Sequence, residues 1–487
     1  NWEGQSTPAA TTTPAPEQPS EKQPSENSPA FNFDIDSLIV NSARIDYRDE
    51  QTQQHFTLEN LQITTGAITT AKDIPVKLSG FVANASPLIR ARMDMTAKLN
   101  IDLESKQYQV KDLVIAGEVA GDPFKGKSAN IGIRGNIFLD QSAQTGRVEQ
   151  LRLSINQFKL MTDISLTQLD KNPTYQGQLS IANVNLREFL PSIGIELPAS
   201  SNSKALTSFE LSGQISGNSS AAALNETRIK LDQTTIEGSL ASKNLAQAAM
   251  SIKLSGDQIN LDDYLPPASK QAAASTETST SVSLERPLPA SPTENPWSTD
   301  ELLPLASLRS IVADADIKFQ QVQLKQLPLR DLQVKAQANQ GMLELKEFSA
   351  RLYEGSINTQ ANLNAKTDNP QFNLKADVKN IPAEKLLAAL EQDPLLEGNI
   401  NLNVQLNSRG NSQRSFVANL NGNSTYDVTN GKITTVNVDQ YLCTAISLLN
   451  RKSMTTGFTS HTTPFTRLGG QLTIRNGVLH NSDTQVS

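Results

Sequence analysis

The chain has 487 residues, 37% of them hydrophobic and 19% charged, and its formal net charge is −7. The hydrophobic fraction lies below the roughly 45–50% that is typical of soluble domains, so any core is thin for the length of the chain. The charges are spread without a basic block, which argues against nucleic acid as a partner because neutralising phosphates requires clustered Lys and Arg.

Two segments have the composition of disordered linkers. Residues 1–30 and 266–300 are rich in Pro, Ser and Thr, and such segments bury too little apolar surface to fold. They separate an N-terminal block, residues 31–265, from a C-terminal block, residues 301–487. No run of residues approaches the roughly 18 apolar positions that a membrane-spanning helix needs.

Inside both blocks, hydrophobic and polar residues alternate along the chain. Strict alternation is typical of a β-strand with one apolar face and one face in water. We count roughly sixteen to twenty such strands, and the short turns between them predict antiparallel meanders. The residues predicted to line the apolar face are Met93, Met95, Leu99, Ile101 and Leu103 in the first block, and Phe372, Leu374, Val378, Ile400, Leu402, Val404 and Leu406 in the second.

Turn and helix signals are fewer than strand signals. Turns are predicted at Asn430-Gly431, Asn476-Gly477 and around Gly341, because Asn-Gly and Gly favour the backbone angles of tight hairpins. Helical periodicity is best at Ala383–Gln392 and Val438–Leu449, where apolar residues recur at spacings of three and four.

One phrase recurs where strands end. It reads "VNLREFLPS" from Val184, "INLDDYLPP" from Ile259, "KNIPAEKLLAAL" from Lys379 and "VNVDQYLCTAISLL" from Val436. We interpret it as a short helix that Asn or Asp caps, with acids in its first turn and an apolar pair that folds back onto the sheet. Proline ends the first two helices in this interpretation. The spacing of the copies fits a repeat of about five strands plus a crossover helix.

No pattern of residues indicates catalysis or metal binding. The pair Asp262-Asp263 is replaced by other residues in the remaining copies of the phrase, which favours helix capping over acid–base chemistry. The lone cysteine, Cys443, excludes an intramolecular disulfide and lies in an apolar stripe, as a buried inert thiol would. We expect no enzyme activity, no cofactor and no metal site. The histidines, none of which has the spacing of a metal site, are His55, His461 and His480.

A sheet with one apolar face must cover that face with something. A sandwich or a solenoid would turn the face into a dry core. A curled sheet could instead leave an open trough whose aliphatic surface suits acyl chains. An outer-membrane barrel is disfavoured, because aromatic residues make up only 5% of the chain and form no girdles.

The C-terminal block resembles the AsmA family of bacterial envelope proteins. The resemblance is carried by "ARLYEGSINTQANLNA" (350–365), by the strand–helix–strand sequence around "KNIPAEKLLAAL", and by "LNGNSTYDVTNGKITTVNVDQYL" (420–442). In the first block, "FDIDSLIVNSARIDYRDE" (33–50) is similar to an earlier part of the same family. The similarity therefore covers most of the chain outside the two linkers.

The resemblance and the alternation agree on a fold. The alternation predicts a mainly β protein whose antiparallel meandering sheet has one apolar face, and the resemblance implies that this long sheet curls into an open groove, with a few short capping or crossover helices. The resemblance further implies a periplasmic location, an inner-membrane anchor formed by an N-terminal helix that would precede this chain, and a Gram-negative host. Its implied partners are phospholipids and outer-membrane or periplasmic proteins.

Two functions remain open at this point. In the first, the protein conducts phospholipids along the apolar groove between the inner and outer membranes and supports outer-membrane biogenesis. In the second, it is a structural or adhesive envelope protein, a β-sandwich or solenoid with a dry core that binds partners through its polar faces. The two differ in whether the apolar face is accessible to a ligand.

Overall fold

The computed structural model describes residues 34–49, 54–267, 297–390, 392, 395–434 and 462–487. The first predicted linker, most of the second, the predicted helix Val438–Leu449 and the fourth copy of the recurring phrase lie outside these ranges. So do Cys443 and His461.

Strands dominate the described residues. The first block contains β1 (Asp34–Ile35), β2 (Ile39–Asp49), β3 (Gln54–Thr65), β4 (Ile68–Thr69), β5 (Asp73–Ala85), β6 (Leu88–Asp102), β7 (Gln107–Gly121), β8 (Ser128–Asp140), β9 (Thr145–Ile155), β10 (Phe158–Thr167), β11 (Thr174–Val184), β12 (Phe209–Asn218), β13 (Ala222–Leu231), β14 (Thr234–Asn244) and β15 (Ala249–Asn260). The second block contains β16 (Val312–Leu324), β17 (Leu327–Asn339), β18 (Met342–Leu352), β19 (Gly355–Asn364), β20 (Gln371–Pro382), β21 (Leu396–Arg409), β22 (Asn421–Ile433), β23 (Thr463–Arg475), β24 (Val478–Asn481) and β25 (Gln485–Val486).

Twenty-three of these strands form one continuous sheet, and β1 pairs separately with β4. Successive strands of the sheet lie side by side and run antiparallel, except that β15 and β16 are parallel and that β25 pairs with β23 and not with β24. The sheet is not closed: at one edge β2 pairs only with β3, and at the other β24 and β25 both pair with β23. The prediction of a mainly β, long meandering sheet is confirmed, with more strands than we counted from the sequence.

The one parallel pair joins the two blocks. β15 and β16 run parallel, so the end of β15 and the start of β16 lie at opposite ends of the two strands. The predicted linker 266–300 falls in this connection, and both blocks share one sheet across it. At the junction the Phe319 ring covers Gly256, where an added Cβ would lie 2.0 Å from the ring. A side chain at Gly256 would therefore displace the Phe319 ring.

Bulges curl the sheet. Several strands contain a residue other than glycine with a positive φ at a shift in pairing register, and such bulges increase the local twist. The unpaired N–H groups find acceptors on the next strand: Asp112 donates to Asn136 Oδ1 at 2.9 Å and Asn380 to Asn401 Oδ1 at 3.0 Å. The bulged residues include Ser42, Asn60, Asp112, Gln150, Glu226, Asp331, Asn380 and Asn430.

The predicted turns are partly confirmed. Asn476-Gly477 forms the turn between β23 and β24, and Gly341 lies in the turn between β17 and β18. The third prediction was wrong: β22 continues through Asn430-Gly431, where Asn430 has φ 51°. An Asn in the left-handed region serves a bulge as well as a turn, so the dipeptide alone does not distinguish them.

Short helices lie at the two ends of the strands. We call the end at which β11, β15 and β20 finish the upper end; it carries α1 (Leu186–Ser192), α3 (Ala383–Ala389) and the 3-10 helices Asp122–Phe124 and Leu261–Asp263. The opposite, lower end carries α2 (Leu305–Ser310), α4 (Gln413–Ala418) and the 3-10 helix Leu245–Gln247.

The recurring phrase forms a helix in each of its three described copies. Asn185 accepts a hydrogen bond from the Glu188 N–H at 3.3 Å, and Asn260 accepts one from the Asp262 N–H at 3.2 Å, as expected of N-caps. The third copy differs, because Asn380 forms a bulge and Pro382 is the N-cap without a side-chain bond.

Two further details of the phrase were wrong. Pro191 lies inside α1 and does not end it. The helices α1 and α3 are also not crossovers, because each connects adjacent antiparallel strands and caps the upper end. The spacing agrees with the predicted repeat of about five strands, since four strands separate the first two helices and five separate the next two. The Phe189 side chain folds back onto the sheet as predicted, with its ring stacked on Phe158 at 5.2 Å between centroids.

Candidate functional site

The predicted apolar residues of the first block lie on one face of β6. They alternate with exposed polar residues and are half-buried. Pairing places Met95 opposite both Leu78 of β5 and Ile115 of β7, so the same face continues onto the neighbouring strands. The residues placed in this way are Met93, Met95, Leu99 and Ile101.

Leu103 is placed differently from the other predicted residues. β6 ends at Asp102, and Leu103 lies in the turn that follows, with 48% of its surface exposed. The alternation of apolar and polar residues continues to Leu103, one residue beyond the strand. Sequence periodicity alone cannot detect where the strand ends.

In the second block, the predicted residues lie on β20 and β21 and face the same side. Pairing sets Leu374 opposite Leu406 and Val378 opposite Leu402. All of them are half-buried. The apolar side chains thus form rows across the two strands, and the full set is Phe372, Leu374, Val378, Ile400, Leu402, Val404 and Leu406.

Together these rows define the apolar face of the sheet. The only other described sheet is the pair of two-residue strands β1 and β4, so the described residues include no second sheet large enough to cover the face. The described helices are short and lie at the ends of the strands. At a strand spacing of about 4.8 Å, 23 strands extend this face over roughly 100 Å.

Some stretches of this face are buried, among them Ile74, Val76 and Ala97 on β5 and β6. The largest set of packed apolar side chains among the described residues lies at the upper end of β16 to β20. We call this set the packed cluster, and Leu386 of α3 and Leu261 of the 3-10 helix Leu261–Asp263 cover it. Its members are Val322, Leu329, Ala350, Leu352 and Ile381, which are 1–8% exposed. A dry core of the kind a sandwich requires is therefore present locally, at one end of a few strands.

Several buried hydroxyl groups donate to the backbone, whereas those of Ser242 and Ser424 have no partner among the described residues. Thr162 donates to the Gln178 carbonyl at 2.7 Å and Thr227 to the Leu224 carbonyl at 2.8 Å. A threonine bonded in this way adds no unsatisfied polar atom. These positions interrupt the alternation in sequence but keep the surface apolar.

The opposite face is polar and carries cross-strand ion pairs. Lys335 Nζ lies 2.8 Å from Glu347 Oε2, and Lys230 Nζ lies 3.4 Å from Glu210 Oε2. Both pairs are partly exposed, so each contributes little to stability. The hydrogen bond from Lys335 lowers the pKa of Glu347 below its ordinary value. The polar face is therefore adapted to water.

Two carboxylates at the upper end have roles that sequence reasoning missed. Asp262, interpreted as a helix-capping acid, accepts the N–H groups of Lys325 and Gln326 at 2.5 and 2.9 Å, and so ties the end of β15 to the β16–β17 turn. Asp232 accepts three backbone N–H groups and the Tyr264 hydroxyl at 2.8 Å. Burial, followed by the contact with Asp232, raises the pKa of Tyr264.

No local sequence signal distinguishes these two carboxylates from the other acids in turns. Their partners lie 24 to 64 residues away in the chain, so only the fold brings them together.

The described histidines lie on strands. His55 of β3 accepts a hydrogen bond from Arg48 at 3.4 Å, and His480 is exposed on β24. In the described part of the chain, no three His, Cys, Asp or Glu side chains come close enough together to hold a metal ion. None of the helices in these ranges has the length and hydrophobicity to span a membrane.

Comparison with known proteins gives one finding. A model of the AsmA family matches residues 1–484, essentially the whole chain. A search of curated proteins returned no match. A search of solved structures also returned none.

Proposed function

The chain belongs to the AsmA family, which indicates a function associated with the bacterial envelope, and we propose that it binds phospholipids along its apolar face. In this proposal the acyl chains lie against the sheet while the headgroups stay in water, and lipids move along the face between the inner and outer membranes. Such movement would support outer-membrane biogenesis.

The observation that carries the proposal is the accessibility of the apolar face. Large aliphatic side chains on β6, β20 and β21 are half-buried, and no second sheet covers them among the described residues. Burying each methylene of an acyl chain there stabilises the complex by about 0.8 kcal/mol. An adhesive protein with a dry core would leave no such surface.

The length of the face sets an expectation for stoichiometry. The face extends over roughly 100 Å by strand spacing, about three times the ~30 Å hydrocarbon thickness of a bilayer. One phospholipid covers only part of it. We therefore expect several phospholipids per chain after purification from a bacterial periplasm under mild conditions, measured by native mass spectrometry with lipid extraction.

Charged substitutions on the apolar face test the proposal directly. Leu99→Asp and Leu402→Asp place a carboxylate where acyl chains would lie, and burying an unpaired charge costs several kcal/mol. We expect each variant to fold, by circular dichroism, and to lose most of its bound lipid. Thr96→Asp and Gln405→Asp place the same charge on the polar face of the same strands and serve as matched controls.

Two results would contradict the proposal. If folded Leu99→Asp and Leu402→Asp retained normal lipid, acyl chains would not lie on this face. If both variants unfolded, and the unaltered protein carried no lipid, the face would be a dry core and the adhesive alternative would be favoured.

The location and partners of the protein are part of the same proposal. We place it in the periplasm, attached to the inner membrane of a Gram-negative bacterium and in contact with outer-membrane or periplasmic proteins, on the basis of the family alone. No catalytic step enters this function. Fractionation of cells that express the full-length protein tests the location, and recovery with cytoplasmic proteins would contradict it.

A further inference from the structure

Three pairs of cationic side chains lie directly opposite each other on neighbouring strands of the described sheet. Cross-strand partners of like charge repel each other, because their Cβ atoms are only about 4.5–5.5 Å apart. The pairs are Lys98 with Lys111, Arg330 with Arg351, and Arg134 with Arg152.

Carboxylates offset the repulsion in two of the three pairs. Lys98 Nζ lies 2.8 Å from Asp112 Oδ2, and Lys111 Nζ lies 2.9 Å from Asp73 Oδ1. In the second pair, Arg351 Nε lies 3.4 Å from Asp331 Oδ2. The sheet thus supplies an anion beside these cations.

The third pair has no such partner. Arg134 and Arg152 are both exposed on the polar face, and neither forms an ion pair or hydrogen bond with another described residue. The next residues in the same cross-strand row are apolar: Val114 beside Arg134, and Met161, which is 42% exposed, beside Arg152.

The nearby carboxylate of Asp163 is already engaged. Its Oδ1 accepts the N–H of the bulged residue Gln150 at 2.6 Å, which fixes it to β9 as a bulge partner. Glu149, on the same strand as Arg152, pairs with Arg147 instead. No described carboxylate therefore forms an ion pair with Arg134 or Arg152.

We propose that Arg134 and Arg152 form a binding site for a phosphate-type oxyanion on the polar face. Each guanidinium presents a planar fork that matches two phosphate oxygens, and two forks on adjacent strands can converge on one phosphate. The phosphate belongs either to a free anion or to the headgroup of an anionic phospholipid. The site is on the opposite side of the sheet from the apolar face and does not depend on the proposed function.

Titration calorimetry of the whole chain at low ionic strength tests this site with two probes. Inorganic phosphate represents the free anion, and glycerophosphoglycerol represents a phospholipid headgroup without acyl chains. We expect saturable binding of at least one probe, weakened roughly tenfold or more by Arg134→Gln or Arg152→Gln, because each removes hydrogen bonds to a charged group. Arg330→Gln alters a like-charged pair elsewhere and is the matched control.

The two probes distinguish a free anion from a phospholipid headgroup, and the melting temperature is a second measurement of binding. Binding of phosphate alone assigns a free anion, and binding of glycerophosphoglycerol assigns a headgroup. Without ligand, Arg152→Gln should melt at the same temperature or higher, because it relieves repulsion. Ligand should raise the melting temperature of the unaltered protein and of Arg330→Gln, but not that of Arg152→Gln. The proposal fails if neither probe binds, or if both Arg variants bind as well as the unaltered protein.

Discussion

β6 and the upper end of β18 show the same alternation of apolar and polar residues but differ in burial. On β6, Met93 and Leu99 remain half-buried. On β18, Ala350 and Leu352 are 4% and 2% exposed. The difference comes from the connections between strands, because α3 and the 3-10 helix after β15 lie over the packed cluster. Alternation determines which face is apolar, and the connecting segments determine whether that face is covered.

This difference in burial indicates that some parts of the sheet serve stability and other parts serve ligand binding. Covered residues hold the strands together through close packing, which is sensitive to the loss of single methylene groups. Half-buried residues contribute less to folding and remain accessible to a ligand. We therefore expect substitutions in the packed cluster to affect unfolding, and substitutions on β6 or β21 to affect binding.

The largest effect on the free energy of unfolding is expected in the packed cluster, where the apolar face is covered. Leu352→Ala removes a fully buried side chain and should lower the free energy of unfolding by about 3 kcal/mol. Leu402→Ala makes the same chemical change at a half-buried site and should cost about 1 kcal/mol. Urea unfolding measures both. Equal losses would mean that Leu402 is as well covered as Leu352, and that the apolar face is closed along its length.

An intermediate effect is expected at the segment that covers the cluster. Asp262→Ala removes the acceptor of two backbone N–H groups in the β16–β17 turn and should cost roughly 1–2 kcal/mol, since the site is partly open to water. Hydrogen exchange at the Lys325 and Gln326 amides should accelerate about tenfold or more. Asp263→Ala, the adjacent acid, is the control. Unchanged exchange in Asp262→Ala would show that other contacts hold the turn.

The fold was predictable from the sequence because each strand carries its own evidence. Alternation is local, and eleven of the twelve residues predicted on the apolar face lie on it. The N-caps Asn185 and Asn260 were found for the same reason, since a cap acts within three residues. The family resemblance agrees with the family model over residues 1–484.

What could not be predicted depends on distant parts of the chain. The parallel pairing of β15 with β16 follows a long connection whose return path leaves no local signal. The same is true of Asp262, whose partners lie more than 60 residues away. Asn430 and Asn380 were assigned to a turn and a cap, yet both form bulges, because Asn is favoured in turns, N-caps and bulges alike and only the fold decides which one it forms. Burial, which separates an open face from a core, was the least predictable property.

The smallest effect on stability is expected at the lower end of β8, where polar contacts hold the turn. Asp140 accepts the Ala143 N–H at 2.8 Å, the Ser142 hydroxyl at 2.7 Å and the Gln107 amide at 2.9 Å, and the backbone bond to Ala143 is the main cause that lowers its pKa. A lowered folded-state pKa means that this contribution to stability is present above the unfolded value of about 3.9 and is lost as the pH falls through the folded value.

An NMR titration of the Asp140 carboxyl group should therefore have its midpoint below about 3.9. Asp140→Asn should remove this part of the acid dependence, whereas Asp94→Asn, which removes one negative charge from the polar face of β6, should leave it intact. A midpoint at or above the unfolded value would mean that the turn does not use the Asp140 carboxylate, and that apolar packing orders the strand ends near β8 as it does at the packed cluster.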